Sequence, residues 1–383
     1  MLPVTSDALS TLSPIRPRAA SCPRTQRQSL TPTSWGHNIN GKYNLKNVKT
    51  DSPSSNFNTF PKVPKSPKDP SMDLSIALII AAKAGDSKEA ARLIAEGADP
   101  LARNSAALTY AAQGGHAECV KLLLPSSAAE NTSFALQWAA DAGQAECVSL
   151  LLPVSDCAAD DSRALQNASR NGNAQCVRLL APLSDPKADN SYSLRLAASR
   201  GHANCVQLLI PLSDCKALNS SALCQAAENG HAECVKMLIP FSDCMADQSA
   251  ALYWAASFAH AECVKLLIPF SDCMAANSRA LAAAAYGGSE DCLNLLIPVS
   301  QPLLDIEGLL DEVFEEGKSH MAQLLIDHEP RLLDGLDLQL LLDEAIEDEN
   351  ASIVPFLSSL IDRRALLEDL AEAPARRNPL ARL

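Results

Sequence analysis

Apolar residues recur along this chain in pairs of short stripes with helical spacing. In residues 220–248, SSALCQAAENGHAECVKMLIPFSDCMADQ, the first stripe is built around Leu223 and its neighbouring alanines. The second stripe runs from Ala232 to Ile239, and Gly230 lies between the two. Apolar positions three and four residues apart predict one amphipathic helix per stripe, and Gly tolerates the left-handed conformation that ends a helix. The pattern therefore predicts a helix–turn–helix unit.

Both helices of this unit have residues with a strong conformational preference at one end. Ser220 precedes the first stripe, where we expect its hydroxyl to cap the helix by accepting a hydrogen bond from a first-turn N–H. Pro240 ends the second helix because it has no N–H and disfavours helical geometry at Ile239. Helices of about ten residues are marginal alone, so each must be stabilised by packing against its neighbours.

The same unit repeats with a nearly constant step. Seven cysteines in equivalent positions are separated by 28 residues once and by 29 residues thereafter. They are Cys119, Cys147, Cys176, Cys205, Cys234, Cys263 and Cys292. A proline follows each cysteine after six residues, and a serine precedes each by fourteen. Stacked units of this kind bury one continuous core, so we predict an all-α solenoid.

The segments GHAECVKLLLP (115–125) and GDSKEAARLIAEGADP (85–100) resemble ankyrin repeats, as does the recurring Ala-Ala-x-x-Gly-His pattern. The resemblance implies an ankyrin-type helix–turn–helix solenoid. Because the family period is about 33 residues, the hairpin between repeats is short by about four. We therefore expect a shortened turn in place of an extended β-hairpin, formed by recurring Ser-Asp pairs. These pairs are residues 155–156, 184–185, 213–214, 242–243 and 271–272.

Composition changes along the chain predict three regions. Residues 1–72 are rich in Ser, Thr and Pro and basic, so we expect a disordered tail. Residues 73–302 form the array of about eight repeats, beginning with a polar N-terminal cap. Residues 303–383 keep the step, with Met321 twenty-nine residues after Cys292, and are expected to be degenerate capping repeats. About ten repeats result. An acidic docking surface and a hidden catalytic domain are the alternatives for residues 303–383.

Charge separates the tail from the rest of the chain. The net charge is −13, but residues 1–72 hold ten Lys and Arg against three Asp and Glu, leaving 22 basic and 42 acidic residues elsewhere. An acidic body repels phosphate backbones and anionic lipids. We therefore expect a protein partner with a basic or mixed surface, and neither nucleic acid, membrane nor a small-molecule substrate.

The cysteine count and the absence of recognisable enzyme motifs bear on location and activity. The thirteen cysteines of a long chain that shows no secretory signal favour a reducing, cytoplasmic environment. No phosphate-binding loop, nucleophile elbow or zinc-protease motif is present, so we expect no catalysis. As an alternative, the Ser/Thr/Pro-rich basic tail resembles the export signals of bacterial type III effectors, which would place the protein inside a host cell.

The His-x-x-Cys pairs raise the question of a metal site. They are His116/Cys119, His202/Cys205, His231/Cys234 and His260/Cys263. Zinc needs four ligands that converge on one point, whereas stacked repeats place these pairs in a row. We therefore expect buried cysteines beside loop histidines, with no metal and no cofactor. Cys224 and Cys22 lie outside the cysteine columns, and either would be reactive if exposed.

Positions that vary while the framework stays constant are the candidates for recognition. By the resemblance, the residue two places after the repeated Leu of each first helix lies on the concave face that ankyrin arrays offer to partners. Aromatic side chains and Arg on an Ala-rich surface are typical of binding hot spots. The predicted partner-binding residues are Tyr110, Trp138, Asn167, Arg170, Leu196, Arg200, Gln225, Glu228, Trp254 and Phe258. A non-catalytic interaction module is the main hypothesis, and a purely structural spacer is the competing one.

Overall fold

Helices account for all the regular secondary structure in the described part of the computed structural model. It describes residues 70–300, 302–303, 308–334, 336–347, 350 and 352–377, and these contain no β-strand. The predicted all-α fold is therefore confirmed. The predicted disordered tail, with its Cys22, lies outside the described residues except for its last three. Its disorder stays a prediction.

Within the described ranges, the α-helices follow one another as ten pairs. The pairs are α1 (Pro70–Ala84) with α2 (Ser87–Ala95), α3 (Ala102–Gly114) with α4 (Ala117–Leu123), α5 (Ala129–Asp141) with α6 (Ala145–Leu151), α7 (Ala159–Arg170) with α8 (Ala174–Leu180), α9 (Ala188–Ser199) with α10 (Ala203–Leu209), α11 (Ala217–Glu228) with α12 (Ala232–Leu238), α13 (Ala246–Ser257) with α14 (Ala261–Leu267), α15 (Ala275–Gly287) with α16 (Glu290–Leu296), α17 (Leu309–Glu315) with α18 (Ser319–His328), and α19 (Leu338–Glu347) with α20 (Val354–Arg377).

The pair α11 and α12 forms as the apolar stripes predict. Leu223 of α11 and Leu238 of α12 are fully buried, the alanines beside Leu223 and the cysteine of the second stripe are buried as well, and Ala232 is partly buried. Between the helices Gly230 has a φ of +74°, the left-handed conformation that a helix C-terminus requires. Helix α12 ends at Leu238, and Pro240 lies in the short 3₁₀ turn Ile239–Phe241 that follows.

Neighbouring repeats pack in two layers. The first helices of successive pairs lie side by side from α1 to α15, and α2 to α16 form a second layer of even-numbered helices. Alanines dominate the buried positions of the first helices, whereas Cys, Val and Leu fill the second ones. Because each repeat contacts chiefly its neighbours, the core extends along the whole stack.

The predicted role of Ser220 as a helix cap is wrong. Its φ is +59°, and Leu218 and Asn219 before it are also left-handed, whereas an N-cap residue needs an extended backbone. The Ser220 side chain is buried, and its hydroxyl accepts a hydrogen bond of 2.8 Å from the backbone N–H of Asp243 in the next repeat. The left-handed turn therefore directs the serine across the repeat boundary.

The same bond joins most of the central repeats. In four further repeats the serine of the column accepts from the backbone N–H of the aspartate 23 residues later, at 2.8–2.9 Å. The pairs are Ser133 with Asp156, Ser162 with Asp185, Ser191 with Asp214, and Ser249 with Asp272. The Asp243 carboxylate in turn accepts from the N–H of Met245 at 3.0 Å, as its counterparts do in the neighbouring repeats. This compact turn is the predicted shortened connection, in place of a β-hairpin.

The described part of the C-terminal region continues the helical pattern. Helices α17 to α20 form two further pairs, and Met321 of α18 is buried at the position that cysteine occupies in the earlier repeats. Phe314 of α17 and Phe356 of α20 contribute larger side chains, with ring centroids 6.3 Å apart. The limits of the three predicted regions stay predictions.

Candidate partner-binding surface

The repeated histidines hold neighbouring repeats together. His231 Nε2 lies 3.1 Å from the backbone carbonyl oxygen of Ser199, and His116, His202 and His260 approach a carbonyl of the preceding repeat in the same way. Because a carbonyl only accepts hydrogen bonds, Nε2 carries the proton in each case. Asn173 replaces the histidine in one repeat and donates to the carbonyl of Ala140 at 2.8 Å. The position therefore works as a hydrogen-bond donor.

The cysteines of the column lie in the core, as the sequence indicates. Their side chains are 0–1% exposed. Burial raises the pKa of the thiols of Cys147, Cys176, Cys205, Cys234 and Cys263 to about 11. These thiols are protonated at neutral pH, and a protonated thiol is neither a nucleophile nor a metal ligand. Across the described ranges, His, Cys, Asp and Glu side chains do not gather into a group of three or more that could hold a metal ion.

Cys224 lies on α11, outside the column, and is partly exposed. Burial raises the pKa of its thiol to about 12, and the negative charges of Asp247 and Glu228 act in the same direction. The Sγ atom also donates to the carbonyl of Asn219 at 3.9 Å. Partial exposure therefore does not make Cys224 a reactive thiolate.

The predicted partner-binding residues are spread over the first helices of six successive repeats. Tyr110 lies on α3, Trp138 on α5, and Leu196 on α9, and all three are partly exposed. Arg200 and Phe258 are the most exposed of the ten, because both follow the last turn of a first helix. Since odd-numbered helices pack side by side, these residues share one layer of the array.

Part of this set takes part in the framework itself. The Asn167 side chain donates to the carbonyl of Gln137 on the neighbouring helix at 3.4 Å, and Arg170 donates to the Asn167 amide oxygen at 3.2 Å. The Nζ atom of Lys83 lies 5.2 Å from the centroid of the Tyr110 ring. Part of the set is thus engaged within the array, and only Arg200 and Phe258 are more than partly exposed.

A group of three aromatic side chains lies on α13 and just after it. The rings of Trp254 and Phe258 are stacked, with centroids 6.1 Å apart and planes inclined by 21°. Tyr253 meets Trp254 edge-on at 5.0 Å, and the guanidinium of Arg279 lies 3.7 Å from the Tyr253 ring centroid. Phe258 is 50% exposed. The group is ordered by its own contacts and still presents apolar surface.

A second row of apolar side chains was not predicted as exposed. It consists of the apolar residue directly after six of the seven repeated prolines, and we call it the post-proline column. Its members are between 36% and 59% exposed: Val154, Leu183, Leu212, Phe241, Phe270 and Val299. Aligning the repeats on the proline reveals this column, but an apolar residue beside a helix end does not by itself indicate exposure.

Across the described ranges, no helix is sufficiently long and apolar to cross a lipid bilayer.

Comparison with known proteins agrees with this architecture. The search of curated proteins found no match. Among solved structures, the crystal structure of the human ASB11 ankyrin repeat domain is similar, with 21% identity over 59% of this chain and 98% of that one, and a TM-score of 0.35. The family model described as "Ankyrin repeats (3 copies)" matches five overlapping segments, residues 78–162, 136–219, 165–247, 194–277 and 223–306. These matches span more than half of the sequence, and the chain belongs to the ankyrin-repeat family.

Proposed function

We propose that the array binds another protein through the exposed sides of its first helices, without catalysis of its own. Ankyrin repeats are generally protein–protein interaction modules. One observation carries the proposal for this surface. Trp138, Trp254 and Phe258 stand partly exposed on helices whose other surface positions vary from repeat to repeat, while the buried framework is constant. Large aromatic residues in such positions are typical of binding hot spots.

Charge defines the kind of partner. The chain outside residues 1–72 is strongly acidic, and complementary charge accelerates encounter and excludes wrong partners. A partner with a basic or mixed surface fits this array. The family resemblance supports this choice, because ankyrin arrays offer a concave face to their partners and the first helices are expected to line it.

Affinity capture with the full chain tests the assignment. We expect the triple variant Tyr110→Ala, Trp138→Ala, Trp254→Ala to lose a specific partner, because each hot spot contributes about 2 kcal/mol or more, roughly thirtyfold in affinity. The control is Phe241→Ala with Phe270→Ala, which removes two aromatic side chains, each about half exposed, from the post-proline column. Circular dichroism confirms that both variants are folded.

Three results are distinguishable. Loss of the partner only in the triple variant supports the proposed surface. Loss only in the control variant moves the interface to the post-proline column. A partner retained by both variants contradicts an interface on either surface and favours the structural spacer.

A further inference from the structure

Two neighbouring repeats carry a carboxylate without an internal partner and a group of aromatic side chains on helices that pack side by side. Glu228 is the last residue of α11, and Phe258 directly follows α13, which packs beside α11. The two residues are thirty positions apart. Three repeats earlier in the chain, Asp141 and Asn171 occupy the equivalent positions, also thirty apart, and there the Asn171 amide donates to the Asp141 carboxylate at 2.9 Å. Glu228 and Phe258 therefore occupy a pair of positions whose side chains are in contact in an equivalent pair of repeats.

The Glu228 side chain has no internal partner. Among the described residues, neither a hydrogen bond nor an ion pair engages its carboxylate, and only its backbone carbonyl is used, by His260 at 3.0 Å. Burial raises the pKa of the Glu228 carboxyl, with no nearby cation to lower it. A partly desolvated carboxylate without a cation is unfavourable, and a cation supplied from outside would compensate for the lost hydration.

The aromatic rings of Trp254 and Phe258 also favour a cation as the ligand. Trp254 and Phe258 are stacked, and the face of an aromatic ring attracts cations. The array already uses this interaction internally, because the Arg279 guanidinium lies 3.7 Å from the centroid of Tyr253, the residue before Trp254. Arginine suits such a place better than lysine, since its planar guanidinium can stack on a ring while donating two hydrogen bonds to a carboxylate.

We propose that Glu228, Trp254 and Phe258 form a binding site for one arginine side chain of the partner protein. This inference rests on the proposed function, since it assigns a ligand to part of the same surface. It also explains why an acidic residue and an exposed aromatic ring occur together at this repeat, where Asp141 and Asn171 bind each other at the equivalent positions.

The test uses the full chain and a small probe, Nα-acetyl-arginine amide, titrated while the indole N–H resonance of Trp254 is followed by NMR. The indole N–H resonance of Trp254 is assigned as the one that is missing from the spectrum of the Trp254→Phe variant. We expect a saturable shift with the arginine probe, and at least tenfold weaker binding for Nα-acetyl-citrulline amide, which has nearly the same shape without charge. The same probe should bind at least tenfold more weakly to Glu228→Gln and to Phe258→Ala.

The matched control is Asp141→Asn, which removes a carboxylate at the equivalent position of another repeat and should leave probe binding within twofold of wild type. Equal binding of the citrulline probe, or undiminished binding to Glu228→Gln, overturns the proposal. A lysine probe that binds as tightly as arginine overturns the assignment to arginine. If the probe does not bind but partner capture still depends on Trp138 and Trp254, this inference alone is overturned. If the triple variant captures the partner as wild type does, the proposed function is overturned.

Discussion

The hydroxyl of Ser220 accepts a hydrogen bond of 2.8 Å from the backbone N–H of Asp243, and this bond joins two repeats. Removing the acceptor leaves a partly buried N–H unpaired, which costs about 1–2 kcal/mol. We expect Ser220→Ala to lower the free energy of unfolding, measured in urea, by that amount. Ser149→Ala, at an exposed position on α6, should change it by less than about 0.5 kcal/mol. Equal effects of the two changes would contradict a specific role for the hydroxyl.

Gly201 and His231 form the second contact between repeats that can be tested alone. Gly201 has a φ of +74°, and a Cβ atom added there would lie 2.6 Å from Nδ1 of His231. Gly97 is also left-handed, but a Cβ there would meet nothing within 4 Å. Gly97→Ala should therefore cost only the backbone strain, about 1–2 kcal/mol, whereas Gly201→Ala should cost clearly more.

A double-mutant cycle isolates the contact with the ring. His231→Ala removes both the clash and the hydrogen bond to Ser199, so Gly201→Ala should destabilise the His231→Ala background less than it destabilises wild type. We expect a coupling energy of about 1 kcal/mol or more from urea unfolding. Additive effects would show that the ring moves away from the new methyl group without cost.

The buried thiols predict how stability changes at alkaline pH. An unfolded cysteine ionises near pH 8.5, whereas the thiols of Cys205 and Cys234 have a folded pKa of about 11. Between these values the unfolded state loses protons that the folded state keeps, so the free energy of unfolding falls as pH rises. Between pH 9 and pH 11, a range that lies between the unfolded and folded pKa values, the free energy of unfolding of the double variant Cys205→Ala, Cys234→Ala should fall less steeply than that of wild type.

Below about pH 8 the same two thiols are protonated in both states, so the variant and wild type should there have parallel stability profiles. The two substitutions also remove packing contacts, which lowers the free energy of unfolding at every pH. The difference measured below pH 8 gives the size of that packing effect. Parallel profiles up to pH 11 would contradict the raised pKa values.

The framework could be predicted because its physical causes are local. The helical spacing around Leu223 predicts a helix, and Gly230 and Pro240 indicate where helices end. The regular step at which these features recur predicts that the units stack. The order of the two helices within a repeat follows from the stripes themselves, and the resemblance supplied the expectation of a concave recognition face. The seven units that share the cysteine column therefore follow directly from the sequence.

The role of Ser220 could not be predicted, because a serine before an apolar stripe is equally typical of a helix cap. Deciding between the two needs the backbone of Leu218 and Asn219, whose left-handed conformation is uncommon for residues other than Gly. For the candidate site, the stacking of Trp254 on Phe258 follows from their spacing of four on a helix. The inferred pairing of Glu228 with Phe258 depends on the register between repeats, which the contact of Asp141 with Asn171 reveals only in the structure.

The post-proline column gives a prediction in which the structure and a simple hydrophobicity argument disagree. Leu238 and Phe241 are three residues apart and both apolar, yet Leu238 is fully buried and Phe241 is 52% exposed. Leu238→Ala should cost about 2–5 kcal/mol through lost burial and the cavity left behind. Phe241→Ser should change the free energy of unfolding by less than about 0.5 kcal/mol, since exposed positions contribute little. Phe270→Ser, at the next repeat, should behave like Phe241→Ser. A cost for Phe241→Ser approaching that of Leu238→Ala would show that the phenylalanine packs into the core, and the post-proline column would then no longer count as an exposed surface.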